Sequence, residues 1–177
     1  MIFTKTNLKD VMVIEKNIHL DDRGSFMESF RYDLFNSELT NEYKFVQDNI
    51  VKSKQNVLRG LHYQKKFPQG KLVQAIQGEI FDVAVDIDKK SNTYGNWFGV
   101  VLSAENNKQL FIPPGYAHGY CVLSNHSIVM YKCTDYFKND DQHGIIWNDS
   151  KIGINWPVKI PIISKKDSIL PELTKEL

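Results

Sequence analysis

The sequence predicts a mostly β chain, a sandwich or a barrel, and three observations carry that prediction. Short runs of apolar or alternating residues recur along the chain; clusters of Gly, Pro, Asn and Ser part them; and no strand–helix–strand alternation of the βαβ kind is visible. In chain order, Ser25–Phe30 and Phe45–Val51 are the first strand candidates, and Arg31–Leu39 between them is the one clearly helical stretch. Arg59–Gln64 reads as a short strand with a flexible point at Gly60. Leu72–Asp88 reads as two strands around a Gln77-Gly78-Glu79 turn. In the second, Phe81, Val83, Val85 and Ile87 alternate with Asp82, Ala84, Asp86 and Asp88, a period-2 pattern with one apolar face. Trp97–Leu102, Gln109–Ile112, Gly119–Leu123 and Ser127–Thr134 follow, separated by Pro113-Pro114-Gly115 and Ser124-Asn125 among other turn-like clusters. The C-terminal stretch carries a short helical turn. With no repeat, linker or low-complexity tract, residues 1–177 read as a single domain.

Bulk chemistry narrows the class. Hydrophobic residues make up 42% and charged residues 24%, the balance of a folded globular chain rather than a disordered one. A net charge of +1 supplies no field to hold nucleic acid or an anionic membrane. Met1-Ile2-Phe3-Thr4-Lys5 lacks the apolar run of a signal peptide, and no stretch approaches the roughly 20 apolar residues of a membrane span. A soluble, cytoplasmic chain is expected. Cys121 and Cys133, the only two cysteines, are too few for a disulfide scaffold and read as small buried hydrophobes.

Several strands carry polar residues where a packed interior would be apolar. Gln47 and Asn49 alternate with Val46, Asp48 and Ile50; His62 and Gln64 share a face with Leu58; Lys71 opens the next strand. Either those faces meet solvent, or the interior holds a ligand cavity; recurrence on several strands favours the cavity. Strict alternation puts Arg59 and His62 on opposite faces, whereas a bulge at Gly60 would bring both to one side. A lone strand histidine is most often structural. The second local signal is Pro113-Pro114-Gly115-Tyr116-Ala117-His118-Gly119, a rigid turn delivering His118 at a strand start.

Together these segments resemble the dTDP-4-dehydrorhamnose 3,5-epimerase family, cupin-fold enzymes of rhamnose and cell-surface polysaccharide biosynthesis. The resemblance rests on Asp21-Asp22-Arg23-Gly24, Gln47-Asp48-Asn49, Arg59 to Gln64, Gly70-Lys71-Leu72-Val73, Asp82 to Asp86, Pro113 to Tyr120, Tyr131 to Tyr136, Trp147-Asn148-Asp149 and Ser164-Lys165-Lys166-Asp167, in that order. It implies a cupin-type jelly-roll β-barrel with a few short helices. It also implies an isomerase that inverts C3 and C5 of a 4-keto-6-deoxyhexose carried on dTDP. Both carbons lie α to the ketone, so the chemistry needs a base on one face, a proton donor on the other and a cation at the enolate oxygen.

By resemblance His62 is the base, oriented by Asp167; Tyr131 is the proton donor; Lys71 stabilises the enolate. His118 lines the sugar pocket, paired with Asp82. Arg23, Phe26, Glu28, Gln47, Asn49 and Arg59 contact nucleotide and sugar, and Tyr136 stacks on the base. The family builds part of this set from a neighbouring subunit, so a homodimer is expected. Taken alone, Asp167 would read as a solvated carboxylate, and Tyr131 and Lys71 as strand residues with polar tips at the surface.

Metal-binding cupins use a Pro-x-Gly-x-x-His segment with an earlier His-x-His pair; here His62-Tyr63-Gln64 stands in that place, and two histidines are too few for a catalytic metal. No metal and no cofactor is expected. The chain departs from the family at Gln74 and Asp88, where basic residues are common, and at Asn92, where proline is. Three rivals remain: a single-carbon epimerase, a 3,4-ketoisomerase of the same fold, and a non-catalytic carbohydrate-binding jelly roll. The ketoisomerases carry a second histidine where this chain has Gln64; a binding module would not need base, acid and cation together.

Overall fold

The computed structural model describes residues 1–173. The N-terminal part holds β1 (Ile2–Lys5), β2 (Met12–Glu15), β3 (Ile18–Asp21), β4 (Gly24–Met27) and the short helix α1 (Tyr32–Ser37). The body follows with β5 (Gln47–Lys54), β6 (Leu58–Gln64), β7 (Lys71–Gln77) and β8 (Glu79–Asp86). It continues through β9 (Trp97–Ser103), β10 (Lys108–Ile112), β11 (Tyr116–Val122), β12 (His126–Cys133) and the short β13 (Gln142–Gly144). One-turn 3-10 helices lie at Asn139–Asp141 and Asp167–Ile169.

The strands form a six-stranded sheet in the order β1-β2-β10-β7-β12-β5 and a five-stranded sheet in the order β13-β6-β11-β8-β9. The two pack face to face as a jelly roll, the architecture the resemblance implies. Val73, Ala75, Leu110 and Val129 of the larger sheet meet Ile80, Ala84, Leu102 and Val122 of the smaller in one buried cluster. Both sheets are also covered outside. Phe35 of α1 packs on Met12, Ile14, Leu72 and Phe111, while Ile145, Ile152 and Leu173 lie over Leu61, Val83 and Val85.

This double cover explains how β8 is oriented. Its apolar face, Val83 and Val85 with Phe81, points outward beneath the C-terminal segment. The polar alternates face between the sheets, and Asp82 is fully buried there. The β3–β4 hairpin stands as its own two-stranded sheet. Strand formation in the middle of the chain follows the sequence reading, with shifts at the ends: β4 stops at Met27, and β11 begins at Tyr116, so His118 is its third residue. The turn in the C-terminal stretch falls on Asp167 itself.

Candidate active site

One rung of the smaller sheet aligns Gly144, His62, His118 and Ala84 across β13, β6, β11 and β8. Opposite it, neighbouring rungs of the larger sheet align Lys71, Cys133 and Gln47, and Val73, Tyr131 and Asn49. Residues far apart in the chain are thereby aligned within each sheet by antiparallel register, and the packing of the two sheets brings both rows to one hollow.

A bulge on β6 completes the arrangement. His118 pairs with His62 but Tyr120 pairs with Arg59, so β6 carries one residue more than β11 over this stretch. The extra residue sits at Gly60, whose φ is +119°; a Cβ there would approach Gly119 Cα to 2.6 Å and the His118 carbonyl to 2.7 Å. Only glycine fits. Past the bulge, Arg59 and His62 line the same hollow, while Leu58 packs in a buried cluster with Cys121 and Val158 rather than sharing a face with His62.

Two hollows of about 270 and 520 Å³ share His62, Lys71, Tyr131 and Gln142 in their walls. Gln47 and Asn49 line the smaller; Arg59, His118 and Asp167 line the larger. The polar alternation of β5 and β6 thus faces a cavity, not solvent. His62 Nε2 lies 2.7 Å from Asp167 Oδ1. With the carboxylate ionised, Nε2–H donates and Nδ1 keeps its lone pair. Gly60 N–H reaches the other carboxylate oxygen at 3.4 Å, and Ser164 Oγ accepts from the Asp167 backbone N–H. Burial pushes the Asp167 carboxyl up, but the hydrogen bond and charge of His62, with Gly60 and Ser164, outweigh it and hold the group below its ordinary value.

His118 Nε2 lies 2.7 Å from Asp82 Oδ1. Burial lowers the His118 pKa against the opposing pull of Asp82. Burial likewise lowers Lys71, with Cys133 and Asp82 acting to raise it. The Tyr131 phenol is pushed up, mainly by burial and further by Cys133, with Arg59 opposing. Arg59 Nε donates to Ser53 Oγ at 3.1 Å, and Gln47 Nε2 donates to Asn49 Oδ1 at 3.0 Å. Among the described residues no group of three or more His, Cys, Asp or Glu side chains is placed to hold a metal ion.

Other expected residues stand apart from this cavity. Arg23, its side chain 90% exposed, pairs with Asp21 at 2.6 Å on the β3–β4 hairpin. Phe26 is 68% exposed on the same hairpin, and Glu28 is exposed just beyond it near Arg31. Tyr136 is exposed on the loop after β12. Sequence reasoning passed over Gln142, Phe137, Ser164 and Lys166, all of which line the hollows. Lys166 donates to Gln142 Oε1 at 2.6 Å across the larger one. Position beside Asp167 was the available signal for Lys166; a three-residue strand offers no periodicity to mark Gln142. Gln74 is buried on the outer side of the larger sheet, where Lys16 Nζ donates to its Oε1 at 2.9 Å, so a cation reaches that place from the turn after β2.

A larger cleft of about 940 Å³ between the N-terminal segment and the turns at 88–93 and 113–116 contains none of the expected residues. Its buried carboxylate, Asp86, is occupied by the hydroxyls of Ser91 and Thr93.

Comparison with known proteins bears on the same cavity. A family model described as dTDP-4-dehydrorhamnose 3,5-epimerase matches residues 5–175. A protein of that name from Shigella flexneri is 50% identical over 164 residues, covering 92% of this chain and 91% of its own. One from Methanothermobacter thermautotrophicus is 51% identical over 168 residues, covering 93% and 90%. Among solved structures, the epimerase RmlC from Legionella pneumophila Philadelphia 1, in complex with dTDP-4-keto-L-rhamnose, superposes with a TM-score of 0.95 at 43% identity, covering 97% and 92%. ChmJ, a 3'-monoepimerase from Streptomyces bikiniensis in complex with dTDP-quinovose, gives 0.90 at 29% identity, covering 96% and 86%. On full-length similarity of this order, with the same jelly roll beneath it, the chain belongs to the dTDP-4-dehydrorhamnose 3,5-epimerase family.

Proposed function

We propose that this chain converts dTDP-4-dehydro-6-deoxyglucose to dTDP-4-dehydrorhamnose by inverting C3 and C5. The observation that carries the reading is one cavity walled by a carboxylate-held imidazole, a half-buried ammonium and a half-buried phenol. His62 Nδ1 takes the proton from the carbon α to the ketone; the C–H electron pair moves into the ring and the C4 oxygen becomes an enolate. The Lys71 ammonium stabilises that oxygen. Tyr131, kept protonated by its burial, gives its proton to the opposite face of the carbon. The resulting phenolate and imidazolium then exchange with solvent, and the cycle repeats at the second carbon.

Arg59, Gln47 and Asn49 are assigned to diphosphate and sugar, with His118 in the sugar wall set by Asp82. We assign Arg23, Phe26 and Glu28 to the site of a neighbouring copy in a homodimer. That assembly is supported by the exposed hairpin and by Ile50 and Ile76, both exposed on the outer face of the larger sheet. Light scattering at working concentration reads it directly; a fully active monomer would refute it. The whole chain acts as one domain in the cytoplasm, on a dTDP-sugar and with neither nucleic acid nor membrane as partner. Among the described residues no helix is long and apolar enough to cross a membrane. Turnover needs no metal or cofactor, and activity surviving exhaustive EDTA treatment is the check.

Inversion at both carbons is favoured over one, because the 3,5-epimerase structure is 43% identical and the monoepimerase 29%. Proton NMR of the reaction in deuterium oxide decides the matter. Deuterium at C3 and C5 is expected; label at one carbon only identifies a monoepimerase, and none means the reading is wrong.

A further inference from the structure

We propose that Gln64 is a positioning residue, which sets the nucleotide-facing loop at a fixed distance from His62. It lies two residues beyond His62 on β6 and is 5% exposed. Its Nε2 donates to the Phe67 carbonyl at 2.6 Å and the Tyr136 carbonyl at 3.3 Å, and its Oε1 accepts from Lys138 N–H at 2.6 Å. Both amide hydrogens are therefore committed to backbone, which leaves the side chain no donor for a substrate.

The groups it holds belong to two loops, one after β6 and one after β12. Few backbone bonds fix the second loop in place. Phe137 N–H goes to Gln47 Oε1 at 2.9 Å, and the Asp135 carbonyl accepts from Gln69 Nε2 at 2.7 Å. Three side-chain amides thus hold a loop that carries Tyr136 and Phe137, and Gln64 ties it to the strand of the proposed base. The first loop is pinned in turn, with Lys66 and Phe67 N–H donating to the Asp141 carboxylate. A loop held this way keeps its aromatic side chains ready for a planar base, so ordering costs less on binding.

The inference rests on the nucleotide reading given above, and the experiment separates the two. Wild type, Gln64→Ala and Gln64→Glu are compared by calorimetric titration with dTDP and by kcat and KM for the 4-keto sugar nucleotide. Losing the ties to the loop should weaken dTDP and raise KM about tenfold in Gln64→Ala, with kcat within about threefold of wild type. In Gln64→Glu the ionised carboxylate faces two carbonyls at neutral pH and binding is weak. As pH falls, the protonated acid donates O–H to the Phe67 carbonyl and still accepts from Lys138, so dTDP affinity recovers. Gln64→Ala shows no such recovery. His62, Lys138, Asp141 and His143 flank the position in both variants, so the ratio of the two pH curves isolates the new carboxyl.

A role in stability alone would lower the melting temperature of both variants and leave dTDP affinity unchanged below it. That result overturns the proposal, as does a fall in kcat with KM and dTDP affinity intact. Should Gln64→Ala fail to fold, Gln69→Ala removes a weaker tie to the same loop and must show the same KM-weighted loss. If wild type neither binds dTDP nor turns over the sugar nucleotide, the functional reading fails. If it does both and the variants bind like wild type, only this proposal falls.

Discussion

The two histidines that line the larger hollow each meet a carboxylate at the same 2.7 Å separation, and the two pairs differ in nearly everything else. In one, the His62 side chain is 24% exposed and Asp167, at 6%, arrives from the C-terminal segment. In the other, His118 and Asp82 are 8% and 0% exposed and sit on adjacent strands of one sheet. Asp167 is backed by Gly60 N–H, with Ser164 beside it, while the second oxygen of Asp82 is buried with no hydrogen-bond partner among the described residues. A short hydrogen bond therefore does not define a catalytic dyad. One pair holds a part-exposed imidazole at the wall of the hollow, where the proposed base has to stand. The other sets a wall histidine against a fully buried carboxylate whose charge acts on Lys71.

The variant that tests this contrast hardest is His62→Ala. Loss of a positioned base should cost about 10² to 10⁴ in rate and abolish deuterium uptake at both carbons. An equal loss of uptake in His118→Ala, measured by the same NMR assay, would erase the distinction between the pairs. Next comes Asp167→Asn, which leaves the imidazole present but poorly held. Removing a hydrogen bond to a charged partner should lower the rate about 10- to 100-fold at both carbons.

Tyr131→Phe should differ in kind. The enolate still forms, so proton exchange persists, while inversion falls because the opposite face has no donor. Loss of exchange in step with inversion would move Tyr131 into the proton-removal step.

The smallest effect is expected at Asp82→Asn, under about tenfold at neutral pH, since asparagine still accepts from His118. Its signature lies in the pH profile. In its proposed role Lys71 acts as a cation, and burial lowers its pKa, so activity should be lost as pH rises through that value. Removing the Asp82 charge lowers it further, and the alkaline limb of kcat/KM should move to lower pH. Lys71→Arg should move it to higher pH, because guanidinium stays charged. An alkaline limb unmoved by both variants would show that Lys71 is not its source.

The two pairs were not equally legible in the sequence. His118 follows a Pro-Pro-Gly turn and Asp82 sits in a clear period-2 strand, so both stand on recognisable elements. Asp167 lies 105 residues from His62 in a polar segment with no periodicity, and by pattern alone it reads as a solvated surface carboxylate. Only the family resemblance picked it out, and the structure buries it.

The same limit hid the strands at both ends. β1, β2 and β3 are four residues each, and β13 is three, too short to alternate visibly. The direction of β8 was also beyond reach, since a second apolar cluster outside the sheet takes the face that a single-core reading would turn inward. By contrast, the bulge at Gly60 was readable from a glycine set between a cation and an imidazole.

The placement of Asp167 after all the strands has a consequence for how the enzyme comes into being. Synthesis proceeds from the N-terminus, and chains begin to fold as they emerge. Among the described residues every strand, including those bearing His62, Lys71 and Tyr131, is made before Asp167. The segment that sets Ile162 beside Val57 and Asp167 beside Gly60 is thus made after the strand whose imidazole it meets, and the pairing of His62 with Asp167 forms only once that segment has docked.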